Sequence, residues 1–160
     1  MERIVVRDRP GPPEHPPIGI VVARVAKAMD RAFDRALAEA GGTRPTWLVL
    51  LAVKSGSGRT QSGLAERVGI SGPTLTHHLD RMVGAGLVAR TPDPANRRAQ
   101  VITLTSDGET LFARLRDAAV AFDARARRGL GDADMEQLRR ALTVLHDNVT
   151  STADVEEGRP

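Results

Sequence analysis

The feature that most constrains this chain is a change of hydrophobic period between Thr60 and Leu104. Thr60 is a predicted N-cap for a helix that carries Leu64, Ala65 and Val68 on one side, and Gly69-Ile70 breaks it. Ser71 caps a second helix with Pro73 just inside its start, where the missing N–H costs nothing. Leu75, Leu79 and Met82 follow at i, i+4 and i+7, and Gly84 and Gly86 stop the run. Beyond them the pattern alternates, with Leu87–Thr91 and Val101–Leu104 flanking the polar stretch 92–98, which predicts a β-hairpin. Two short helices meeting at a tight turn and followed by a ribbon form a helix-turn-helix with a hairpin appended. The expected fold class is mainly α with one small β-hairpin.

The flanks supply longer helices. Ile18, Val22, Val25, Met29, Phe33 and Leu37 recur every three or four positions over 18–40, and Gly41-Gly42 ends that helix. The segment Thr46–Val53 is almost continuously apolar, so period alone does not separate a buried helix from a buried strand; its helical neighbours favour the helix. Thr105, or Ser106 with Glu109 as a capping box, opens a helix carrying Leu111, Phe112, Leu115, Ala119 and Phe122. A last helix begins at Asp132, with Met135, Leu138, Leu142, Leu145 and Val149 on one stripe. Five prolines mark residues 1–17 as an arm, and 150–160 as a polar, acidic tail. The expected organisation is one domain over 18–149, with a lobe at 46–104 between helical segments 18–40 and 105–149. The stripes on those segments are longer than so small a lobe can cover, which calls for a second copy.

The absence of cysteine excludes disulfides and thiolate metal sites. No Gly-rich phosphate loop, GxSxG or metal-ligand cluster is present, and the adjacent His77-His78 pair points its rings about 100° apart on a helix. No enzyme activity, metal or cofactor is therefore expected. No apolar stretch has the length of a membrane span, and the first residues hold no hydrophobic core of a leader, so a cytoplasmic protein with no membrane partner is expected. The net charge is only +3, but its distribution is uneven. Six arginines oppose three acids between Arg59 and Arg98, whereas seven acids oppose three arginines from Gly131 to Pro160. A basic middle points to a polyanion as partner.

With Leu75, Leu79 and Met82 inward, Pro73, Thr76, His77, Asp80 and Gly84 face away, with Thr74 and Arg81 on a flank. Hydroxyls, an imidazole and a guanidinium near a helix N-terminus suit base edges and phosphates in a major groove. Arg97 and Arg98 at the ribbon tip suit a narrow minor groove.

In order and spacing, Leu64-Ala65-Glu66-Arg67, Leu79-Asp80-Arg81-Met82, Gly86-Leu87-Val88-Ala89-Arg90, Asp93-Pro94-Ala95-Asn96-Arg97-Arg98 and Leu104-Thr105-Ser106-Asp107-Gly108 resemble the MarR family of bacterial transcriptional regulators. The resemblance implies a winged helix-turn-helix and a homodimer whose terminal helices interlock on double-stranded DNA. It implies a repressor released by a small aromatic or acidic effector. Carried over residue by residue, it puts Ser71, Pro73, Thr74, Thr76, His77 and Arg81 on the DNA-reading helix and Arg97 and Arg98 on the wing. It places an effector near Trp47, Leu111 and Leu115. Three positions depart from the family pattern: His77 where arginine is frequent, Asn96 where an aspartate often braces the wing arginine, and Gly63 where a helix former is usual. The alternative is a winged-helix dimerisation or protein-interaction module without DNA binding.

Overall fold

The computed structural model describes residues 15–56, 61–92 and 100–151. The element order is α1 (Ile18–Glu39), α2 (Arg44–Lys54), α3 (Gln61–Val68), α4 (Gly72–Gly84), β1 (Val88–Pro92), β2 (Gln100–Leu104), α5 (Ser106–Ala126) and α6 (Asp132–Thr150). The expected mainly helical fold with one antiparallel hairpin is what forms. Contacts divide the chain into two units that meet within α5, between Ala119 and Val120. No helix among the described residues is long and apolar enough to cross a membrane.

In the first unit, the ambiguous run at Thr46–Val53 lies inside helix α2, with Trp47, Val49, Leu50 and Ala52 buried. Its near-continuous apolarity has a packing cause, since α2 touches α1, α3, α4 and β2 and has little face left for water. Thr43 caps it by accepting the Thr46 N–H at 3.3 Å, and Pro45 sits in the first turn. Leu37, Val49, Leu50, Leu64, Leu75, Leu79 and Leu115 are fully buried around this helix. Trp47 stacks on Phe112 of α5, with centroids 5.6 Å apart and planes 13° from parallel.

In the hairpin, Val88 pairs with Leu104 and Arg90 with Ile102, so these four share one face. Val88 and Ile102 are buried, which turns that face inward. Of the two start sites expected for α5, the structure takes Thr105. Its Oγ1 accepts the Gly108 N–H at 3.1 Å, whereas Glu109 is engaged elsewhere, by Lys54 Nζ at 2.7 Å. Gly108 is required by proximity, because a Cβ there would stand 1.9 Å from the Leu87 carbonyl oxygen.

In the second unit, α6 starts where Gly131 donates its N–H to Asp134 Oδ2 at 2.8 Å. None of its residues is buried, and Leu138, Leu142, Val144 and Val149 are all exposed. In the first unit α1 is similarly bare, with Ile18, Ile20, Val21, Val22, Val25 and Met29 exposed and Leu37 its one buried residue.

Candidate nucleic-acid interface

Helices α3 and α4 meet at Gly69, whose φ of +72° is a left-handed state that a side chain resists. There the amides of Gly69 and Ile70 both close on the Ala65 carbonyl, at 2.9 and 3.1 Å, which ends α3 and redirects the chain. Ala65 is itself buried at this crossing, where a larger side chain would separate the helices. The N-cap expected of Thr60 falls outside the described residues.

Ser71 caps α4 as expected. Its Oγ accepts the Thr74 N–H at 3.4 Å and lies 2.8 Å from Thr74 Oγ1. Leu75, Leu79 and Met82 are buried, so the opposite face is the free one. Ser71, Pro73, Thr74, His77 and Arg81 are exposed and Thr76 is half-buried, which brings the six candidate residues of this helix onto one continuous surface. The Thr76 hydroxyl donates to the Gly72 carbonyl at 2.9 Å, so its proton is committed within the helix. His77 and His78 hold their rings 6.1 Å apart and tilted by 56°. Among the described residues, no three His, Cys, Asp or Glu side chains are grouped as metal ligands.

The interaction that sequence reasoning missed is the tie between helix and wing. Arg90 Nη1 meets Asp80 Oδ1 at 2.8 Å, linking α4 to β1. Its Nε and Nη2 are buried without a hydrogen-bond partner among the described residues, so Asp80 is the anion that holds this guanidinium in place. Alternation carried a signal for it, since Arg90 falls on the same side of the strand as Val88 and is a charge on the inward face. Arg97 and Arg98, with Asn96, lie outside the described residues.

The three residues expected near an effector are core residues: Trp47, Leu111 and Leu115 are all buried. Two open cavities lie close by. One, of about 410 Å³, is lined by Asp34, Ala38, Gly42, Thr43, Arg44 and Pro45. The other, of about 390 Å³, runs between the start of α2 and the second half of α4, where Thr43, Thr46, His78, Arg81 and Met82 line it. None of those three residues lines either cavity.

Residues 40–99 match the model of the MarR family. Among solved structures, the transcriptional repressor CouR bound to a 23-mer DNA duplex is 27% identical, with a TM-score of 0.70 over 81% of this chain and 92% of that one. CouR from Rhodococcus jostii RHA1 bound to p-coumaroyl-CoA is 28% identical, with a TM-score of 0.67 over 80% of this chain and 90% of that one. A mutant MarR from E. coli complexed with operator DNA shares the fold at 22% identity, with a TM-score of 0.69 over 81% of this chain and 93% of that one. Motif order and the match over residues 40–99, which takes in both helices of the turn and the first strand, agree with the comparisons: this segment is similar to the MarR family, and about four-fifths of the chain shares the winged helix-turn-helix fold of these structures.

Proposed function

We propose that this chain is a sequence-specific DNA-binding transcriptional regulator, a homodimeric repressor released by a small ligand. The observation that carries the reading is the surface of α4. Asp80, its one carboxylate, is taken up by Arg90, so the helix offers DNA hydroxyls, an imidazole and the Arg81 guanidinium without an opposing free acid. Ser71 and Pro73 set the start of the helix against the phosphate backbone. Thr74, Thr76 and His77 read base edges, and Arg81 anchors the backbone. Arg97 and Arg98 reach the adjacent minor groove. The bare apolar faces of α1 and α6 support a second copy as the partner. MarR and CouR have been captured on DNA, and CouR also with an acyl-CoA, which supports both the DNA and the small aromatic or acidic effector as partners here. Trp47, Leu111 and Leu115 form the wall behind the effector. The reading is supported there by the cavity at Thr46 and Met82, one residue along the chain from Trp47.

The test is selection of DNA fragments by the full chain, followed by affinity on the selected site and on a scramble of it. Specific binding at least about 10³-fold above the scramble is expected. His77→Ala should flatten that ratio at about 1 to 3 kcal/mol per lost base contact. Equal affinity of the unaltered chain for both DNAs refutes the reading.

A further inference from the structure

Helix α1 enters the lobe at its C-terminal end, where Leu37 is fully buried and Phe33 and Ala40 pack partly against the core. The bare apolar stretch from Ile18 to Met29 lies on the far side of that anchor. A helix held at one end is a lever. Ile18 is 19 residues from Leu37, about 28 Å at about 1.5 Å per residue, so a swing of roughly 7° carries its end about 3.4 Å, one base-pair step. The direction of α1 therefore decides how far apart two copies joined through it would hold their DNA-reading helices.

A second anchor exists. Arg44, the first residue of α2, uses all three of its nitrogens on α1. Nε donates to Asp34 Oδ1 at 2.8 Å, Nη1 to Asp30 Oδ1 at 2.7 Å and Nη2 to the Asp30 carbonyl at 2.9 Å. The guanidinium also lies 5.4 Å from the centre of the Phe33 ring. The hydrogen bonds that Arg44 donates to Asp34 and Asp30 raise its pKa above that of a free arginine, so the group stays charged. Asp30 is seven residues from Leu37, about 10 Å along the axis, and two points that far apart fix a line where one leaves a pivot. Asp30 and Asp34 are like charges at i, i+4 and repel, so removing the guanidinium also leaves the two carboxylates unopposed.

We propose that Arg44 is a positioning residue: a three-pronged strut from α2 to Asp30 and Asp34 that sets the direction of α1 against the DNA-reading lobe and thereby the half-site spacing the dimer accepts. The spacing part rests on the DNA-binding reading above, whereas the α1 direction does not. Lysine cannot replace the strut, because one ammonium does not reach two carboxylates and a carbonyl in a fixed plane.

Two measurements test it. The unaltered chain should prefer its selected operator over the same operator with one base pair inserted between half-sites. Arg44→Gln should lower that preference about three- to tenfold, the range two exposed ion pairs can supply, and leave the salt slope of binding unchanged. Arg44→Lys should recover it only in part. Independently of DNA, the absence of cysteine allows spin labels at Lys27→Cys on α1 and Arg67→Cys on α3, both exposed, with labelled chains diluted into unlabelled ones. The distance distribution should be narrow with Arg44 present. It should broaden in Arg44→Gln and equally in Asp30→Asn with Asp34→Asn, which keeps the arginine. An unchanged distribution in both variants overturns the strut whatever the DNA result, and an unaltered chain that selects no DNA overturns the DNA reading and leaves the strut to the label distances.

Discussion

Gly108→Ala tests how tightly the root of the wing is held to α5. The new Cβ would stand 1.9 Å from the Leu87 carbonyl oxygen and 3.0 Å from its carbon, so the two segments must part by about 1.5 Å to reach ordinary contact. The carbonyl cannot swing away freely. It accepts the Thr105 N–H at 3.1 Å, while the Thr105 hydroxyl donates to the Gly86 carbonyl and takes the Gly108 N–H. Overpacking of this kind costs about 1 to 3 kcal/mol, and each strained hydrogen bond adds up to about 1 kcal/mol. The expected loss is about 3 kcal/mol, a large part of the total stability of about 5 to 15 kcal/mol usual for a domain. In urea, with a slope near 2 kcal/mol per molar, the midpoint should fall by about 1.5 M when followed by circular dichroism at fixed chain concentration. Gly84→Ala is the control, because no atom lies within 4 Å of its added Cβ; it should be neutral or stabilise α4 by up to about 1 kcal/mol. A Gly108→Ala midpoint within about 0.5 kcal/mol of the unaltered chain would show that the joint yields, and the reasoning from proximity would be wrong.

Phe112→Ala removes the ring stacked on Trp47 and should cost about 3 to 5 kcal/mol, with the tryptophan emission shifted to the red; an unshifted spectrum would mean the stack does not shield the indole. Replacing Arg97 and Arg98 by alanine in a symmetric dimer removes up to four cations and should lower the salt slope of DNA binding by up to about 3.6, with the fold unaltered; an unchanged slope takes the wing off the DNA. Leu142→Glu places a charge on the apolar stripe of α6, where the leucine is 42% exposed in the single chain. Sedimentation should then show a folded species of lower mass than the unaltered chain, and an unchanged mass would remove α6 from the interface.

What the sequence determined by itself is what local chemistry can specify. Leu75, Leu79 and Met82 define the inward face of α4 because a helix repeats every 3.6 residues, and all three are buried. Ser71 was legible as a cap and Gly69 as a turn because each acts on the backbone next to it. Alternation around residues 92–98 specified the hairpin in the same way, and the outward residues of α4 followed from the inward ones. The tertiary structure decided everything that depends on which distant segment lies opposite. It made Thr46–Val53 a helix by surrounding it, and it chose Thr105 as the cap of α5 by giving Glu109 to Lys54, fifty-five residues away. It paired Arg90 with Asp80, set Arg44 across Asp30 and Asp34, and left no room for a Cβ at residue 108. Each of these is a contact between elements whose separation along the chain has no period, so no repeat in the sequence records it. Burial and charge pairing across such contacts become readable only when the elements have been brought together.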